Sequence, residues 1–444
     1  MKLFAALFIL ILSTSLLQSQ SAPATIQPPD DRFKADILLV IAHPDDDTEV
    51  AAYLAKVIEQ QHKRVAVVYG TRGNSGGNAV GQEQAAALAD IREMEARHSL
   101  ASYGVTNVWF LRGYDTPDQD VLHSLETWGH GQTLESVVRL IRLTRPEVIF
   151  TWLPDYVVGE NHDDHQASAV IATEAFDLAA NPLAFPEQIE AARKPQTYGN
   201  YGEGLRPWQP KKLYYFSDAT HFEFLKGSGP EYPTSDISTS RKVPYAQIEA
   251  DAWRIYKTQL DLTDAQIKEY SEMPLTLILG KSLVGGARTG DVFEGITSSL
   301  IPYARSRGYE PPTSGVTFEL GGPWAFYQQF WRAHNIEHLT DLYAPEAQVT
   351  VGENLWVPLL IRNNTDSPAH ITLHPALPEG WRQKPEATSF EVAPHDAFPI
   401  QLTLTPPNLQ KGAWQTLVWK ADRDSKSIGS VQLRVQISSS GLPQ

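Results

Sequence analysis

Two short polar runs carry most of the chemistry legible in this chain: Ala42-His43-Pro44-Asp45-Asp46-Asp47 and, further on, Asn161-His162-Asp163-Asp164-His165. Two imidazoles and one carboxylate around an open position form a set that suits catalytic zinc. His43 and Asp46 from the first run with His165 from the second would make such a set and leave room for water. Zinc lowers the pKa of a bound water to ~7. The proton still needs an acceptor, and Asp45 stands next to the ligand Asp46; a positioned base contributes ~10²–10⁴-fold. His162 would then stabilise a tetrahedral oxyanion and protonate a leaving amine, with Asp164 as the residue that orients it. Iron(II) or manganese also suit nitrogen and oxygen ligands. Either run alone has a plainer reading, an acidic helix N-cap or surface histidines. The joint reading gains from where both runs fall.

Each follows a buried strand. Ile37–Ala42 is a continuous apolar run, followed by helical spacing over Val50–Gln60. Val65–Tyr69, Val108–Leu111 and Val148–Leu153 read as further strands, with helices over Gln82–Leu100 and Leu134–Leu143 between them. Strands separated by helices of this length predict right-handed crossovers and a parallel sheet. The expected class is α/β, a Rossmann-like parallel sheet with helices on both faces. Ligands in such sheets bind beyond the carboxyl ends of the strands, where both runs must lie. Glu249–Gln259, Asp264–Ser271 and the aromatic-rich Trp324–His334 also show helical character.

The two runs resemble the PIG-L/LmbE-like N-acetylglucosaminyl deacetylase family, which carries A-H-P-D-D-E after its first strand and H-x-D-H after a later one. The resemblance implies metal ligands at His43, Asp46 and His165, a general base at Asp45 and an oxyanion-stabilising acid at His162. Arg92-Glu93-Met94-Glu95 is similar to the family's R-x-x-E helix, implying a substrate-side role for Arg92. Thr71-Arg72-Gly73 resembles its glycine-rich loop, which brings Arg72 to the substrate side, and Tyr256-Lys257-Thr258-Gln259 resembles a later H-x-[ST]-Q segment. Asp47 stands where the family has Glu. Glu160 stands where some relatives have Tyr, which makes nearby Tyr156 the candidate phenolic helper. The activity implied is removal of acetyl from an N-acetylated amino sugar or glycoconjugate.

Composition narrows the partners. The chain has 444 residues, no cysteine and a formal net charge of −15. Disulfides and zinc–thiolate sites are excluded, and the charge opposes nucleic-acid binding. Lys2 followed by the apolar run Leu3–Leu12 reads as a signal peptide cut after Ser21, too short to span a bilayer. Export to the periplasm or cell exterior is the expectation, with an uncleaved N-terminal anchor as the alternative. No later segment is apolar enough to span.

After Tyr343 about seven short alternating strand candidates, between Gln348 and Ile437, predict a β-sandwich. Val351-Gly352-Glu353, Asn363-Asn364-Thr365 and Leu377-Pro378-Glu379-Gly380-Trp381 resemble the NEW3-like sandwich of carbohydrate-active enzymes. It could bind glycan, or act as a spacer with Trp381 in its core. The expected division is a signal peptide over 1–21, a linker over 22–34, a catalytic domain over 35–342 and a sandwich over 343–444.

Other signals carry less. Gly280-Lys281-Ser282 lacks the first glycine of a phosphate loop and reads as a turn. His334 and His338 lack the intervening glutamate of a zinc helix, which favours packing. The Trp324, Phe326, Tyr327, Phe330 and Trp331 cluster has the spacing of a core stripe. His221 follows a strand with nothing to fix its position, and Asn363-Asn364-Thr365 fits a glycosylation sequon. The competing functions are hydrolysis of a non-sugar amide, an iron(II) oxygenase built on the same triad, and an exported glycan-binding protein with an inert site.

Overall fold

The computed structural model describes residues 31–116, 119–155, 162–189, 203–218, 225–259, 262–297, 315–342, 345–386, 388–407 and 414–438. The signal segment, Tyr156, Glu160 and His221 lie outside the described residues. The chain opens β1 (Ile37–Ile41), α1 (Ala51–Gln61), β2 (Val65–Tyr69), α2 (Ala85–Ser102) and β3 (Asn107–Phe110). Two helices, α3 (Val121–Thr127) and α4 (His130–Thr144), lead to β4 (Val148–Trp152), α5 (Asp163–Leu178) and β5 (Lys212–Phe216). Two short strands, β6 (Glu231–Tyr232) and β7 (Leu275–Thr276), pair antiparallel with α6 (Tyr245–Trp253) and α7 (Asp264–Ser271) between them in the chain, and β8 (Ile278–Ser282) follows.

These strands build one sheet in the order β3-β2-β1-β4-β5-β8. All pairs are parallel except β5 with β8. The alternation of side chains explains why β1 had to be apolar throughout. Leu38 and Val40 enter the core beneath α3, α4 and α5, whereas Ile37, Leu39 and Ile41 enter the core beneath α1, α2 and α6. Each fully buried aliphatic side chain of this kind contributes ~1.5–3 kcal/mol. Successive connections leave β1 on one side toward β2 and reach β4 on the other. The crevice at that reversal is where an open α/β sheet binds ligands.

The segment Gly280-Lys281-Ser282, expected as a turn, belongs to the antiparallel edge strand β8. Its glycine is required by close packing, since a Cβ there would lie 2.4 Å from the Tyr215 ring. The expected domain boundary at 343 also needs correction. Strand β9 (Val316–Leu320) precedes it, yet pairs antiparallel with β11 (Leu355–Asn363) in the C-terminal sheet. Between them α8 (Gly322–His334) buries Tyr327, Phe330 and Trp331 in the core beneath α5, while Trp324 packs on the sandwich core. The two units are therefore interleaved, and the aromatic stripe of α8 is core.

With β10 (Glu346–Thr350), β12 (Ala369–Ala376), β13 (Arg382–Lys384), β14 (Ser389–Val392), β15 (Asp396–Thr405), β16 (Trp414–Arg423) and β17 (Lys426–Ser438), the C-terminal part forms two facing sheets. One runs β10-β17-β16-β12-β14 and the other β13-β15-β11-β9. Trp381 and Trp419 lie in their shared core. Asn363, the sequon residue, is buried, and its amide donates to the carbonyls of Ser367, Val392 and Ala393. That amide serves the fold and is not presented for glycosylation. His334 pairs with Asp177, which also holds Lys281, and His338 bonds the Leu279 carbonyl, so both histidines serve packing.

Two outcomes follow. Phe318→Ala removes a ring facing the sandwich core from a residue 25 positions before the boundary read from sequence, at a cost of ~3–5 kcal/mol. Hydrogen exchange of the β11 amides should speed up in that variant; unchanged exchange would separate β9 from the sandwich. Glu249 on α6 is buried and accepts from the Ala52 amide at 3.2 Å. Burial, with Glu49 nearby, raises its pKa well above the ordinary value. Below the unfolded value of about 4.3 both states are neutral. As pH rises past it the unfolded chain ionises first, so the native state loses stability until its own pKa is reached. Glu249→Gln should therefore raise Tm at pH 7 and change it little at pH 4.

Candidate metal centre

The two polar runs meet. β1 and β4 are neighbours in register Val40↔Thr151, so the loops leaving their carboxyl ends emerge side by side. The first loop turns at once into a 3-10 helix, Asp46–Val50, and the second opens α5 with His162 at its N-cap. Asp45 makes that turn possible with φ 120, in the left-handed region a non-glycine residue rarely adopts. Such strain costs ~1–3 kcal/mol and needs support from neighbours. Thr48 supplies it through its amide (2.8 Å) and hydroxyl (2.6 Å), both donating to the Asp45 carbonyl.

Asp46 is fixed more tightly still. Its Oδ2 accepts from the amides of Ala42 (2.8 Å) and His43 (3.0 Å) and from the Trp152 indole (2.7 Å). Its Oδ1 is left to face His165 Nε2 at 3.2 Å and His43 Nδ1 at 3.6 Å. Burial works against the charged carboxylate, but the two histidines outweigh it and hold Asp46 well below the usual range. Burial pushes His165 down to about 4, against the opposing pull of Asp46. His43 is held well above its ordinary value; burial opposes this, but hydrogen bonds to Asp164 and Asp46 prevail. The His165 ring stacks flat on Trp152, 4.0 Å between centroids and 4° between planes.

Asp46 Oδ1 thus has one imidazole nitrogen of His165 and one of His43 beside it. The ring nitrogens of His43, His162 and His165 also lie within 4.8 Å of one another. Two imidazole nitrogens beside one carboxylate oxygen suit a divalent cation of the zinc, iron(II) or manganese type. His43 Nε2 bonds Asp164 Oδ2 at 3.2 Å, the carboxylate–imidazole support typical of a metal-ligating histidine.

That contact revises one expected role. The sequence places Asp164 beside His162, but its hydrogen bonds go to His43 and Thr116; the carboxylate on His162 Nδ1 is Asp163, at 3.1 Å. Adjacent helical residues point in different directions, so sequence proximity alone could not separate the two. Thr116 ties both together, its hydroxyl lying 2.6 Å from Asp163 and 2.9 Å from Asp164, with Ser124 also bonding Asp163. Asp47 sits in a cage of hydroxyls from Tyr69 (2.7 Å), Tyr103 (2.8 Å) and Tyr256, which anchors the loop from behind. Burial pushes its carboxyl up to about 6, with the three tyrosines opposing.

A cavity of about 420 Å³ opens on the centre. It is lined by His43, Asp45, Asp46, His162 and His165, and by Arg92. Arg92 is 6% exposed, and its guanidinium donates to the carbonyls of Gly73, Ser75 and Gly77, so it shapes the glycine-rich loop. Arg72 is not in the lining; it pairs with Asp90 and Glu93. Sequence reasoning missed Trp152, Asp115 and Thr116. The last two follow β3 at the same sheet edge as the metal loops, a signal that could have found them. Burial with the neighbouring Asp46 charge raises the Asp45 carboxyl well above its ordinary value. Trp152→Phe keeps a ring against His165 but removes a donor from Asp46. Metal affinity, read by competition with a chelator, should fall 10–100-fold; an unchanged affinity would mean the indole does not hold the ligand.

Comparison with known proteins places this arrangement. Residues 38–176 match the family model described as GlcNAc-PI de-N-acetylase (PIG-L). A 1D-myo-inositol 2-acetamido-2-deoxy-alpha-D-glucopyranoside deacetylase 1 from Catenulispora acidiphila is 31% identical over 168 residues, 34% of this chain and 51% of that protein. A deacetylase of the same name from a Nocardioides species is 27% identical over 259 residues, 51% of this chain and 84% of that protein. The chain thus spans about half the length of the first of these relatives. A solved N,N'-diacetylchitobiose deacetylase from Pyrococcus horikoshii overlays 55% of this chain and 84% of its own, with TM-score 0.42 and 16% identity. The loop after β1 and the start of α5 both fall inside the matched stretch, and residues 38–176 of this chain are a PIG-L family domain.

Proposed function

We propose that this protein is a metal-dependent hydrolase that removes acetyl from an N-acetylated amino sugar or glycoconjugate, with zinc as the resident ion. The observation that carries the proposal is Asp46 Oδ1 facing one nitrogen each of His43 and His165. The names of the relatives support the sugar amide as substrate class.

When bound, the ion supplies Lewis acidity and makes water acidic enough to react near pH 7. The chain's own residues do the rest. Asp45, on the cavity wall beside Asp46, accepts the proton of the attacking water. His162 has its Nδ1 engaged by Asp163, which orients the ring and leaves Nε2 for the substrate. From there it donates to the developing oxyanion and then to the departing amine. Trp152 and the buried first turn of α5 exclude water from the far side of the centre. Export to the periplasm or cell exterior, from the apolar leader over 1–21, is part of the same proposal.

Asp45→Ala should keep the metal and lose at least ~10²-fold in acetate release. His165→Ala should lose both metal and activity. Metal content and turnover of the two variants on a panel of N-acetylated sugars and acyl-amino compounds provide the check. An active Asp45→Ala enzyme ends this mechanism, turnover confined to acyl-amino compounds moves the substrate to a non-sugar amide, and sugar binding by metal-replete protein without turnover marks an inert site.

A further inference from the structure

Beyond the ligand cluster the cavity wall is acidic. Glu49, Asp115 and Asp218 line it together with Asp45. Arg92 is the one lysine or arginine among the described lining residues, and its guanidinium is committed to three loop carbonyls. Those three bonds hold the guanidinium on the loop and leave its Nε without a partner among the described residues.

The wall also presents acceptors that have no donor. Asp115 is 7% exposed; its Oδ2 accepts from the Ser75 amide, and its Oδ1 has no hydrogen-bond partner, with His43 Nε2 4.0 Å away as an ion-pair neighbour. Gln259 Oε1 is buried in the same state. Such atoms are satisfied by hydroxyl or ammonium donors and repel phosphate or carboxylate oxygens. Trp253, half-buried on this wall, adds an indole on which the apolar face of a sugar ring can stack. The chemistry points the same way: hydrolysis of the amide by one water yields acetate and an ammonium, and a carboxylate-rich wall favours the cation and expels the anion.

We propose that this pocket selects uncharged or cationic N-acetylated saccharides and rejects those that carry a phosphate or carboxylate beside the sugar being deacetylated. The proposal rests on the deacetylase reading and adds to it the charge of the substrate. The bound cation offsets the charge of its ligand Asp46, whereas Glu49, Asp115 and Asp218 lie outside the ligand set. Carboxylates in a cleft with low-dielectric walls focus a negative potential on any charged neighbour of the reacting sugar.

The test uses the metal-loaded full chain and three disaccharides in which N-acetylglucosamine is linked to N-acetylglucosamine, glucosamine or glucuronic acid. At low salt the first two should be deacetylated with kcat/KM within a few-fold of each other, and the uronic acid about tenfold or more slower. That gap should shrink as salt is raised, because screening shortens the reach of the wall's charge. Glu49→Gln combined with Asp218→Asn should raise the anionic-to-neutral ratio several-fold. Equal or faster turnover of the uronic acid overturns the proposal, as does a gap that neither salt nor the substitutions move. Calorimetric binding of the same three compounds separates this from the reading beneath it. If none releases acetate but the uronic acid alone fails to bind, the deacetylase reading falls and the charge assignment stands.

Discussion

The centre depends on how one carboxylate is divided. Asp46 Oδ2 receives three N–H donors, two from the backbone of its own loop and one from Trp152. Those bonds fix the group as a carboxylate and turn Oδ1 toward two imidazoles. A carboxylate less fully bonded could rotate or protonate when buried. Here rotation would break three hydrogen bonds, and the site's geometry follows from that restraint.

The fold reads as a set of supports for this one side chain. β1 and β4 had to be adjacent to bring His43 and His165 to the same oxygen, and the reversal of strand order between them opens the space in front. The strained turn at Asp45 is braced by Thr48 at the front and by the Asp47–tyrosine cage at the back. On the opposite side Thr116 and Ser124 hold the carboxylates that aim His162 and His43. These supports come from separate strands and helices, which makes the site a property of the whole α/β unit. Its acidity extends outward into the cavity wall, where the only guanidinium among the described lining residues is turned inward to the glycine-rich loop.

The sandwich is joined to this unit by more than a linker. β9 gives the sandwich an edge strand, and the next element, α8, returns to bury Phe330 and Trp331 against α5. One short, aromatic-rich segment thus contributes side chains to both cores.

The sequence by itself determined the strand–helix alternation, the two ligand runs and the β character of the C-terminal part. Each of these is written in local periodicity: continuous apolar runs for strands buried on both faces, turn residues between short alternating strands, and acidic or histidine-rich stretches directly after a strand. Tertiary structure alone decided which atom meets which. It gave Asp163 to His162 and Asp164 to His43, committed Arg92 to the glycine-rich loop, and drew β9 across the apparent boundary. The physical reason is that these are contacts between elements far apart in the chain. Adjacent residues on a helix point in different directions, a long guanidinium can reach several partners, and a five-residue strand takes its place only from the neighbour it pairs with.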